Sequence, residues 1–375
     1  MTGEPRISPA SHRAALVPSG TRMLSVTDHL RVVSLVPLPD GALKQIEQLD
    51  DSIEVVDATG WFDGEFRETW GDHTANGYLR PGSEGSETTR AERDTLLTDT
   101  DVVIGGFPMP VDLRARAPRL RWVHQTPAGA SNLHRCDIWE SDVMVTTSRG
   151  FGNTLAIAEY VVASFLFFSR NLHQAGIDEQ DGTFRRSGYR PFLLSGKTAC
   201  IIGAGGIGQE VGRLCNALGM RVVGTRRSTT EPMPPGFEML APPDRLNELL
   251  AESDFVAVCC QWTPETHNLL DAEAFAAMPD GAVLANVARG EIIDESALVP
   301  ELDRFGGIAL DVYVGEFDRQ PPPELWHHPK VIITPHVSGG ADSRSSRPIE
   351  LFCQNLEALL AGRPLENVID WSRGY

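Results

Sequence analysis

Three side chains late in the sequence, Arg289, Glu316 and His336, are of the types that can bind a carboxylate and move a proton. An arginine grips a carboxylate or a carbonyl oxygen with two parallel hydrogen bonds. A histidine titrates near neutral pH and can pass a proton to a developing alkoxide, and a buried glutamate beside it fixes its tautomer. Each of the three residues follows a short apolar run that predicts a strand. Each residue taken alone has a structural alternative. Arg289 could cap a helix or form a salt bridge, Glu316 could be a solvated loop carboxylate, and His336 could be a core histidine.

A G-x-G-x-x-G pattern follows the apolar run TACIIG and precedes a helical pattern, a context typical of dinucleotide binding. We expect Gly203 to permit a tight turn, Gly205 to let the backbone approach a pyrophosphate, and Gly208 to allow close packing of helix on sheet. The free N–H groups and the dipole of the helix would attract the phosphates. The predicted loop comprises Gly203, Ala204, Gly205, Gly206, Ile207 and Gly208. A glycine-rich turn without a ligand is the alternative.

The end of the next predicted strand, MRVVGT, bears on the choice of cofactor. Folds that prefer NAD place an acidic residue about 20 residues after the glycines. Here the chain continues as Thr225, Arg226, Arg227 and Ser228. Because arginines and hydroxyls can hold a 2′-phosphate with charge-assisted hydrogen bonds, we favour NADP(H). Use of NAD(H) is the alternative. In that case Arg226 would stack on the adenine and the pocket would accept either cofactor, or Glu231 would fold back.

Two series of short apolar runs, which alternate with helical patterns, must position these residues. The first series starts at residue 30 with LRVVSLV and continues with IEVVDA, DVVIGG, RLRWVHQT and DVMVTT. The second starts at residue 198 and contains roughly six predicted strands. This pattern predicts an α/β fold with two doubly wound parallel sheets. Since ligands in such folds bind outside the carboxyl ends of the strands, the candidate residues would converge there.

Three segments do not follow this alternation. Residues 1–29 are rich in Pro, Ser, Thr and Arg and predict a tail or a loosely packed arm. Residues 60–90 read as a long Gly- and Glu-rich loop whose aromatic residues border the substrate entrance, reach a second subunit, or fold over one another. Residues 155–168 form the longest apolar run, which is too short to span a bilayer and contains Glu159; we expect a buried helix.

Composition excludes several classes of function. The 375-residue chain carries 33 Lys and Arg against 51 Asp and Glu, a formal net charge of −18. Such a surface repels phosphate backbones and anionic lipid, so we expect neither a nucleic-acid nor a membrane partner. The six cysteines form no CxxC pair and have no histidines beside them at zinc spacing, so we expect reduced thiols, no metal and a cytoplasmic protein. The N-terminus has no apolar segment typical of a secretory signal.

The order of four motifs, GxGxxG, NVARGEIID, LDVYVGE and TPH, resembles that of the D-isomer-specific 2-hydroxyacid dehydrogenases. The resemblance runs from about residue 30 to residue 368. It implies reversible hydride transfer between NAD(P)H and a 2-keto acid, giving a D-2-hydroxy acid. It also implies that Arg289 binds the substrate and orients its carbonyl, that His336 is the general acid/base and that Glu316 is its hydrogen-bonded partner. The glutamate separates the chain from the formate dehydrogenase branch, which has glutamine there.

The same resemblance implies further binding residues. Asp311 corresponds to the ligand of the nicotinamide carboxamide. The other cofactor positions are Thr263, Val287, Ala288 and Gly339. The loop at Gly105, Gly106 and Phe107 would hold the substrate carboxylate with its backbone N–H groups, in addition to Arg289 and His336; an ordinary strand-to-helix turn is the alternative.

Two departures from the family pattern lie near these positions. Ser131 stands where aspartate is common, and Gln261 with Trp262 replaces a usual Pro-Leu pair.

The resemblance implies a Rossmann cofactor domain inserted in a flavodoxin-like substrate domain. We assign residues 30–152 and 344–375 to the substrate domain and residues 153–343 to the cofactor domain, after the tail at 1–29. The chain crosses twice between them, so the cleft can close as a hinge and exclude water. The helix at 155–168 looks like the family's dimer-forming element, which predicts a homodimer; a helix within one core is the alternative. A non-enzymatic sensor of dinucleotides on the same fold is the alternative function, and the sequence does not name the keto acid.

Overall fold

The computed structural model describes residues 29–79, 88–184, 186–228, 232–342 and 347–371. Within them the chain forms one five-stranded and one seven-stranded parallel sheet, each covered by helices. This architecture confirms the predicted α/β fold class.

The first sheet contains all five strands predicted for it. They are β1 (Leu30–Ser34), β2 (Ile53–Asp57), β3 (Val102–Gly105), β4 (Trp122–Gln125) and β5 (Met144–Thr147). Their order, β2-β1-β3-β4-β5, is that of flavodoxin-like folds. Val33 of β1 pairs with Val56 on one side and Val103 on the other, so its β-branched side chain packs between helical layers.

Helices cover both faces of this sheet. They are α1 (Ala42–Glu47), α2 (Asp63–Thr69), α3 (Asp72–Tyr78), α4 (Arg90–Thr98) and α5 (Leu113–Arg116). The C-terminal helix α13 (Arg347–Leu360) returns to the same sheet. Its Phe352 is fully buried and stacks on Trp122 of β4 with ring centroids 4.8 Å apart. The last helix of the chain therefore completes the core that the first 150 residues begin.

The second sheet has seven strands in the described residues, one more than the sequence suggests. They are β6 (Thr198–Ile202), β7 (Arg221–Thr225), β8 (Met239–Ala241), β9 (Phe255–Val258), β10 (Val283–Asn286), β11 (Gly307–Leu310) and β12 (Val331–Ile333). Their order is β12-β11-β10-β9-β6-β7-β8, the strand order of a Rossmann fold with one further strand. The unpredicted β8 has three residues and pairs only with β7.

A second set of helices surrounds this sheet. They are α6 (Thr154–Ser169), α7 (Leu172–Gln180), α8 (Gly206–Ala217), α9 (Leu246–Leu250), α10 (Ala272–Ala277), α11 (Glu295–Leu298) and α12 (Pro323–Trp326). The short helix α11 continues directly into a 3-10 turn at Val299–Arg304. Three more 3-10 turns occur at Ser131–Arg135, Pro243–Arg245 and Gly290–Ile292.

The segment at 60–90 is not the long loop that its composition suggests. Helices α2 and α3 lie within it, and Phe62, Phe66 and Trp70 are core residues of the first sheet's domain. Burial of these aromatic rings stabilises α2, whose sequence carries little helical periodicity. Residues 80–87 of this segment lie outside the described residues, as do most of the predicted tail and Glu231.

The apolar run at 155–168 forms α6, as predicted, but only one side of the helix is buried. Val161, Phe165 and Phe168 lie in the core under the second sheet, whereas Leu155 and Leu166 are exposed. Across the described part of the chain no single helix is long and apolar enough to cross a membrane. The pair α6 and α7 passes that test only when taken together, and it is bent by 64°.

Candidate active site

The glycine loop joins β6 to α8 at the carboxyl edge of the seven-stranded sheet. Gly203 has φ of +91°, a conformation that side-chain-bearing residues rarely adopt. The backbone N–H of Ala204 donates to the carbonyl of Thr225 at 2.8 Å, which ties the turn to the end of β7. The helix begins at Gly206, so its first N–H groups face the turn.

The glycines of this loop have different steric surroundings. A Cβ at Gly203 would overlap Cys260, and one at Gly208 would overlap the carbonyl oxygen of Gly203. A Cβ at Gly205 would meet no protein atom within 4 Å. Gly203 and Gly208 thus allow the chain to fold back on itself, while Gly205 faces open space at a helix N-terminus. This arrangement fits the pyrophosphate of a dinucleotide.

The residues predicted to face the adenosine ribose follow β7. Thr225 is buried, and its hydroxyl accepts from the N–H of Gly203 at 3.3 Å. Arg226 donates through Nε to the carbonyl of Ser228 at 2.6 Å, so its guanidinium folds over its own turn. Arg227 is exposed. Its charge adds to the lowering of the Glu265 pKa, which is caused first by a hydrogen bond from Thr263.

The turn that carries Arg289 is held by Asn286, the last residue of β10. The Asn286 side chain accepts from the N–H of Ala288 at 3.0 Å and donates to the carbonyl of Arg289 at 2.9 Å. Val287 and Ala288 are buried beneath it. The guanidinium of Arg289 donates to the carbonyl of Ala288 at 2.6 Å. It also lies against Gly129 of the turn after β4, where a Cβ would overlap Nη2, so the arginine reaches across the cleft.

His336 and Glu316 form the predicted pair. Nδ1 of His336 lies 3.2 Å from Oε1 of Glu316, and the glutamate side chain is only 7% exposed against 28% for the histidine. His336 has φ of +53°, and its N–H donates to the carbonyl of Asp311 at 3.0 Å. A histidine whose Nδ1 is bonded to a buried carboxylate presents Nε2 for proton transfer.

Asp311 is fully buried and holds the loop that carries His336. Its carboxylate accepts from the hydroxyl of Thr334 at 2.6 Å and from the N–H groups of Val337 and Ser338 at 2.8 and 2.9 Å. The hydroxyls of Tyr160 and Thr334 lie 2.7 Å apart, which extends this network to α6. The hydrogen bonds of the Asp311 carboxylate to described residues thus orient the loop that carries His336.

The remaining cofactor positions are also at this edge of the sheet. Thr263 follows β9, and its N–H donates to the hydroxyl of Thr266 at 2.7 Å. Gly339 follows β12, and its carbonyl accepts a hydrogen bond from the side chain of Asn153 at 2.8 Å. Asn153 immediately precedes α6. Together with the turns after β6, β7, β10 and β11, they line a continuous row of strand ends.

The predicted substrate loop faces the His336–Glu316 pair from the other domain. Gly105 ends β3, and the carbonyl of Gly106 accepts from the side chain of Asn132 at 3.2 Å. The ring of Phe107 packs against that of Phe317, the residue after Glu316, with centroids 4.5 Å apart. The structure therefore brings the loop, the arginine and the histidine to the same cleft.

For three residues of the cleft, residue type alone does not reveal the contacts that they make. Asn286 opens the NVARGEIID motif, and Gly129 and Asn132 lie in the turn after β4. Asn132 and Asn286 bond to backbone groups, and Gly129 leaves room for the guanidinium of Arg289. Tyr78 belongs to the aromatic set at 60–90, but its position against Phe107 depends on α3, which was not predicted.

Within the described ranges there is no group of three or more His, Cys, Asp and Glu side chains that could hold a metal ion.

Comparison with known proteins finds 2-hydroxyacid dehydrogenases among the relatives of this chain. Residues 162–338 match the model of the D-isomer specific 2-hydroxyacid dehydrogenase, NAD binding domain. A putative 2-hydroxyacid dehydrogenase of Haemophilus influenzae is 30% identical over 289 residues, which are 73% of this chain and 89% of that protein. A D-3-phosphoglycerate dehydrogenase of Methanocaldococcus jannaschii is 28% identical over 292 residues, 75% of this chain but 54% of that protein.

A solved structure of a D-isomer specific 2-hydroxyacid dehydrogenase family protein from Aeromonas salmonicida is 26% identical, with a TM-score of 0.70. The match covers 92% of this chain and 100% of that chain. The phosphoglycerate dehydrogenases are longer proteins, and this chain spans about half the length of those it matches first.

Proposed function

This chain belongs to the D-isomer-specific 2-hydroxyacid dehydrogenase family, and we propose that it transfers a hydride reversibly between NAD(P)H and a 2-keto acid, giving a D-2-hydroxy acid. The observation that carries the proposal is the His336–Glu316 pair, 3.2 Å apart at the same sheet edge as the dinucleotide loop. Arg289 reaches into the same cleft.

The loop at 203–208 and the turn after β7 would hold the dinucleotide, whose nicotinamide supplies the hydride when bound. Arg289 binds the carboxylate or carbonyl oxygen of the keto acid and fixes the face that it presents. The N–H groups of Gly106 and Phe107 hold the other end of the carboxylate. Val287, Ala288, Thr263, Asp311 and Gly339 complete the cofactor site.

In the reductive direction His336 donates the proton from Nε2 to the oxygen that becomes the hydroxyl. Glu316 accepts from Nδ1, fixes the ring orientation and stabilises the imidazolium before transfer. In the oxidative direction His336 takes that proton back. Asp311, through three hydrogen bonds, keeps the loop that carries His336 in its left-handed turn.

Contacts between the two domains help to exclude water from this chemistry. Arg135 pairs with Asp318 at 2.6 Å, and His73 of α3 lies 3.1 Å from the hydroxyl of Tyr313. The hydroxyl of Thr74 donates to the carbonyl of Phe317. We assign residues 30–152 and 344–375 to the substrate domain and 153–343 to the cofactor domain, with closure between them as a hinge.

We propose NADP(H) as the preferred cofactor. Thr225 ends β7, and Arg226 and Arg227 follow it where NAD-preferring folds carry an acid. The preference is measured as kcat/KM with NADPH and with NADH at a fixed keto acid. Arg226→Asp should shift the ratio toward NADH, whereas Arg213→Asp, at an exposed position of α8 paired with Glu210, should not. A wild-type preference for NADH of about tenfold or more would contradict this assignment.

We also propose a cytoplasmic homodimer. The exposed leucines on α6 and α7, Leu155, Leu166 and Leu172, support a second copy as their partner. The six cysteines are free thiols, which supports a reducing compartment. Sedimentation velocity tests the dimer: a species of about twice 41.0 kDa supports it, and a monomer at micromolar concentration contradicts it.

The reaction is tested by following nicotinamide absorbance with a panel of keto acids that includes glyoxylate, hydroxypyruvate and pyruvate. We expect keto-acid-dependent oxidation of NAD(P)H. His336→Ala should lower kcat by about 10²–10⁴-fold and leave cofactor affinity unchanged. Absence of turnover with every keto acid would contradict the proposal.

A further inference from the structure

Three aromatic side chains, drawn from both domains, pack together beside the predicted substrate loop. The ring centroids of Tyr78 and Phe107 lie 4.5 Å apart at an interplanar angle of 82°. Those of Phe107 and Phe317 are also 4.5 Å apart. Trp70, which is buried, supports Phe107 from behind at 4.9 Å. We call Tyr78, Phe107 and Phe317 the aromatic wall.

The aromatic wall borders the catalytic residues. Phe107 directly follows Gly106 of the substrate loop, and Phe317 directly follows Glu316. Tyr78 lies within electrostatic reach of both Glu316 and Arg289. Its pKa is raised first by burial and then by the charge of Glu316, while Arg289 acts in the opposite direction. A substrate held by Arg289 and the substrate loop would therefore extend its side chain toward these rings.

Apart from Arg289, which is proposed to bind the substrate, two described arginines near the aromatic wall are paired with carboxylates. Arg135 lies over the ring of Trp70 at 5.1 Å, and its guanidinium pairs with Asp318. Arg319 lies over the ring of Tyr313 at 5.9 Å and pairs with Glu295 at 2.7 Å. Both guanidinium groups are thus offset by carboxylates, and the whole chain carries a net charge of −18.

From this placement, and resting on the proposed function of the same site, we propose that the aromatic wall receives the side chain of the keto acid. The enzyme then selects 2-keto acids with an apolar side chain over those with a phosphorylated or otherwise charged one.

The selection follows from desolvation. An apolar side chain that packs on the rings gains roughly 25 cal/mol for each Å² of apolar surface removed from water. A phosphate or a second carboxylate at the same place loses its hydration against apolar rings, and the two described arginines beside them, Arg135 and Arg319, are already paired with carboxylates. The surrounding negative charge adds a further repulsion.

The test compares kcat/KM for 2-ketoisocaproate with kcat/KM for 2-ketoglutarate and phosphohydroxypyruvate at saturating reduced cofactor. We expect the wild type to prefer 2-ketoisocaproate by about tenfold or more. Phe317→Arg should move the ratio at least tenfold toward the charged substrates. Phe317→Ala should lower the preference for 2-ketoisocaproate only through the loss of apolar contact, because it adds no charge. Leu218→Arg adds the same charge at the exposed C-terminal end of α8 and should leave the ratio unchanged.

Two results would overturn the inference and leave the proposed function intact. One is a wild type that reduces the charged keto acids as well as, or better than, 2-ketoisocaproate. The other is a ratio that neither Phe317 variant alters. If no keto acid is turned over, the proposed function fails. The inference about the aromatic wall is then tested separately, by calorimetric measurement of ligand binding with cofactor present. Binding of phenyllactate that Phe317→Arg weakens about tenfold supports the wall, whereas equal binding of phenyllactate and 3-phosphoglycerate overturns it.

Discussion

The guanidinium of Arg289 lies directly against the backbone of Gly129, although the two residues belong to different domains and are 160 positions apart. Any side chain at Gly129 would occupy the position of Nη2. The turn after β4 therefore limits where the arginine can lie, and with it where a substrate carboxylate can bind. The contact also requires the two domains to be close together.

Gly129→Ala should leave the protein folded, because the overlapping atom is the end of a flexible side chain. The displaced guanidinium should lower kcat/KM by about 10²-fold, the usual cost of misplacing a substrate-binding group by about 1 Å. Gly176→Ala, at an open position of α7, is the matched control. Steady-state kinetics with unchanged Tm would support the role of Gly129, and wild-type kinetics would exclude it.

A pair of glycine variants separates the cofactor role of the loop from its packing role. Gly205→Ala adds a methyl group in open space at an ordinary φ of −84°, so the Tm should change little. Dinucleotide affinity should nevertheless fall by about tenfold or more, since the methyl group occupies the approach of the pyrophosphate. Fluorescence titration with NADPH measures this, and unchanged affinity would remove the loop from the cofactor site.

Gly208→Ala should behave in the opposite way. The added Cβ overlaps the carbonyl of Gly203 and pushes α8 away from β6. Overpacking of this kind costs about 1–3 kcal/mol, so the Tm should fall by several degrees. A Tm equal to that of the wild type would show that the helix and strand are less closely packed than the structure indicates.

Glu316→Gln tests the partner of His336, the proposed general acid/base. Without the carboxylate the imidazole loses the buried group that orients it, 3.2 Å from Nδ1. The rate of keto acid reduction should therefore fall by about 10-fold or more, while cofactor affinity stays unchanged. The measurement is kcat/KM for the keto acid and the Kd for NADPH in the wild type and the variant. An unchanged kcat/KM would exclude Glu316 from the mechanism and leave it a structural residue.

A buried histidine away from the cleft should make stability depend on pH. His124 of β4 bonds to the hydroxyls of Thr146 and Ser148 at 2.8 and 3.2 Å. Burial lowers the pKa of His124 to about 3, from an ordinary value of 6.5. Between these values the unfolded chain binds a proton that the folded chain does not. Its contribution to stability is therefore complete above pH 6.5 and is lost, at up to about 1.4 kcal/mol per pH unit, as the pH falls toward 3.

His124→Gln removes this proton uptake, whatever it does to stability at neutral pH. The urea midpoint of the wild type should fall more steeply between pH 7.5 and pH 5 than that of the variant. His327→Gln, at an exposed position, controls for the loss of a histidine. Parallel pH dependence of the wild type and His124→Gln would contradict the assignment.

The sequence predicts the strands and the sheet edge well because buried parallel strands appear as short apolar runs. All five strands of the first sheet and the glycine loop between β6 and α8 follow from such patterns. Strand β8 could not be predicted, because three residues are too few to show an apolar pattern. It forms through its pairing with β7.

Helix α3 shows why part of the cleft could not be predicted. Its sequence, DHTANGY, is polar, contains Gly77 and favours turns over helix. Bonds from His73 and Thr74 to Tyr313 and Phe317, about 240 residues away, help to hold it. A tertiary contact of this kind leaves no local signal, so the position of Tyr78 appears only in the folded chain.

The proposed reaction transfers hydride to C2 of a 2-keto acid with defined stereochemistry. The decisive measurement is the reduction of pyruvate or 2-ketoisocaproate with a reduced nicotinamide cofactor that carries deuterium at both C4 positions, followed by determination of the label and configuration of the product. We expect one deuterium on C2 of a D-2-hydroxy acid, at a rate that His336→Ala lowers at least about 10²-fold. An L-configured product, or an unlabelled one, would contradict it.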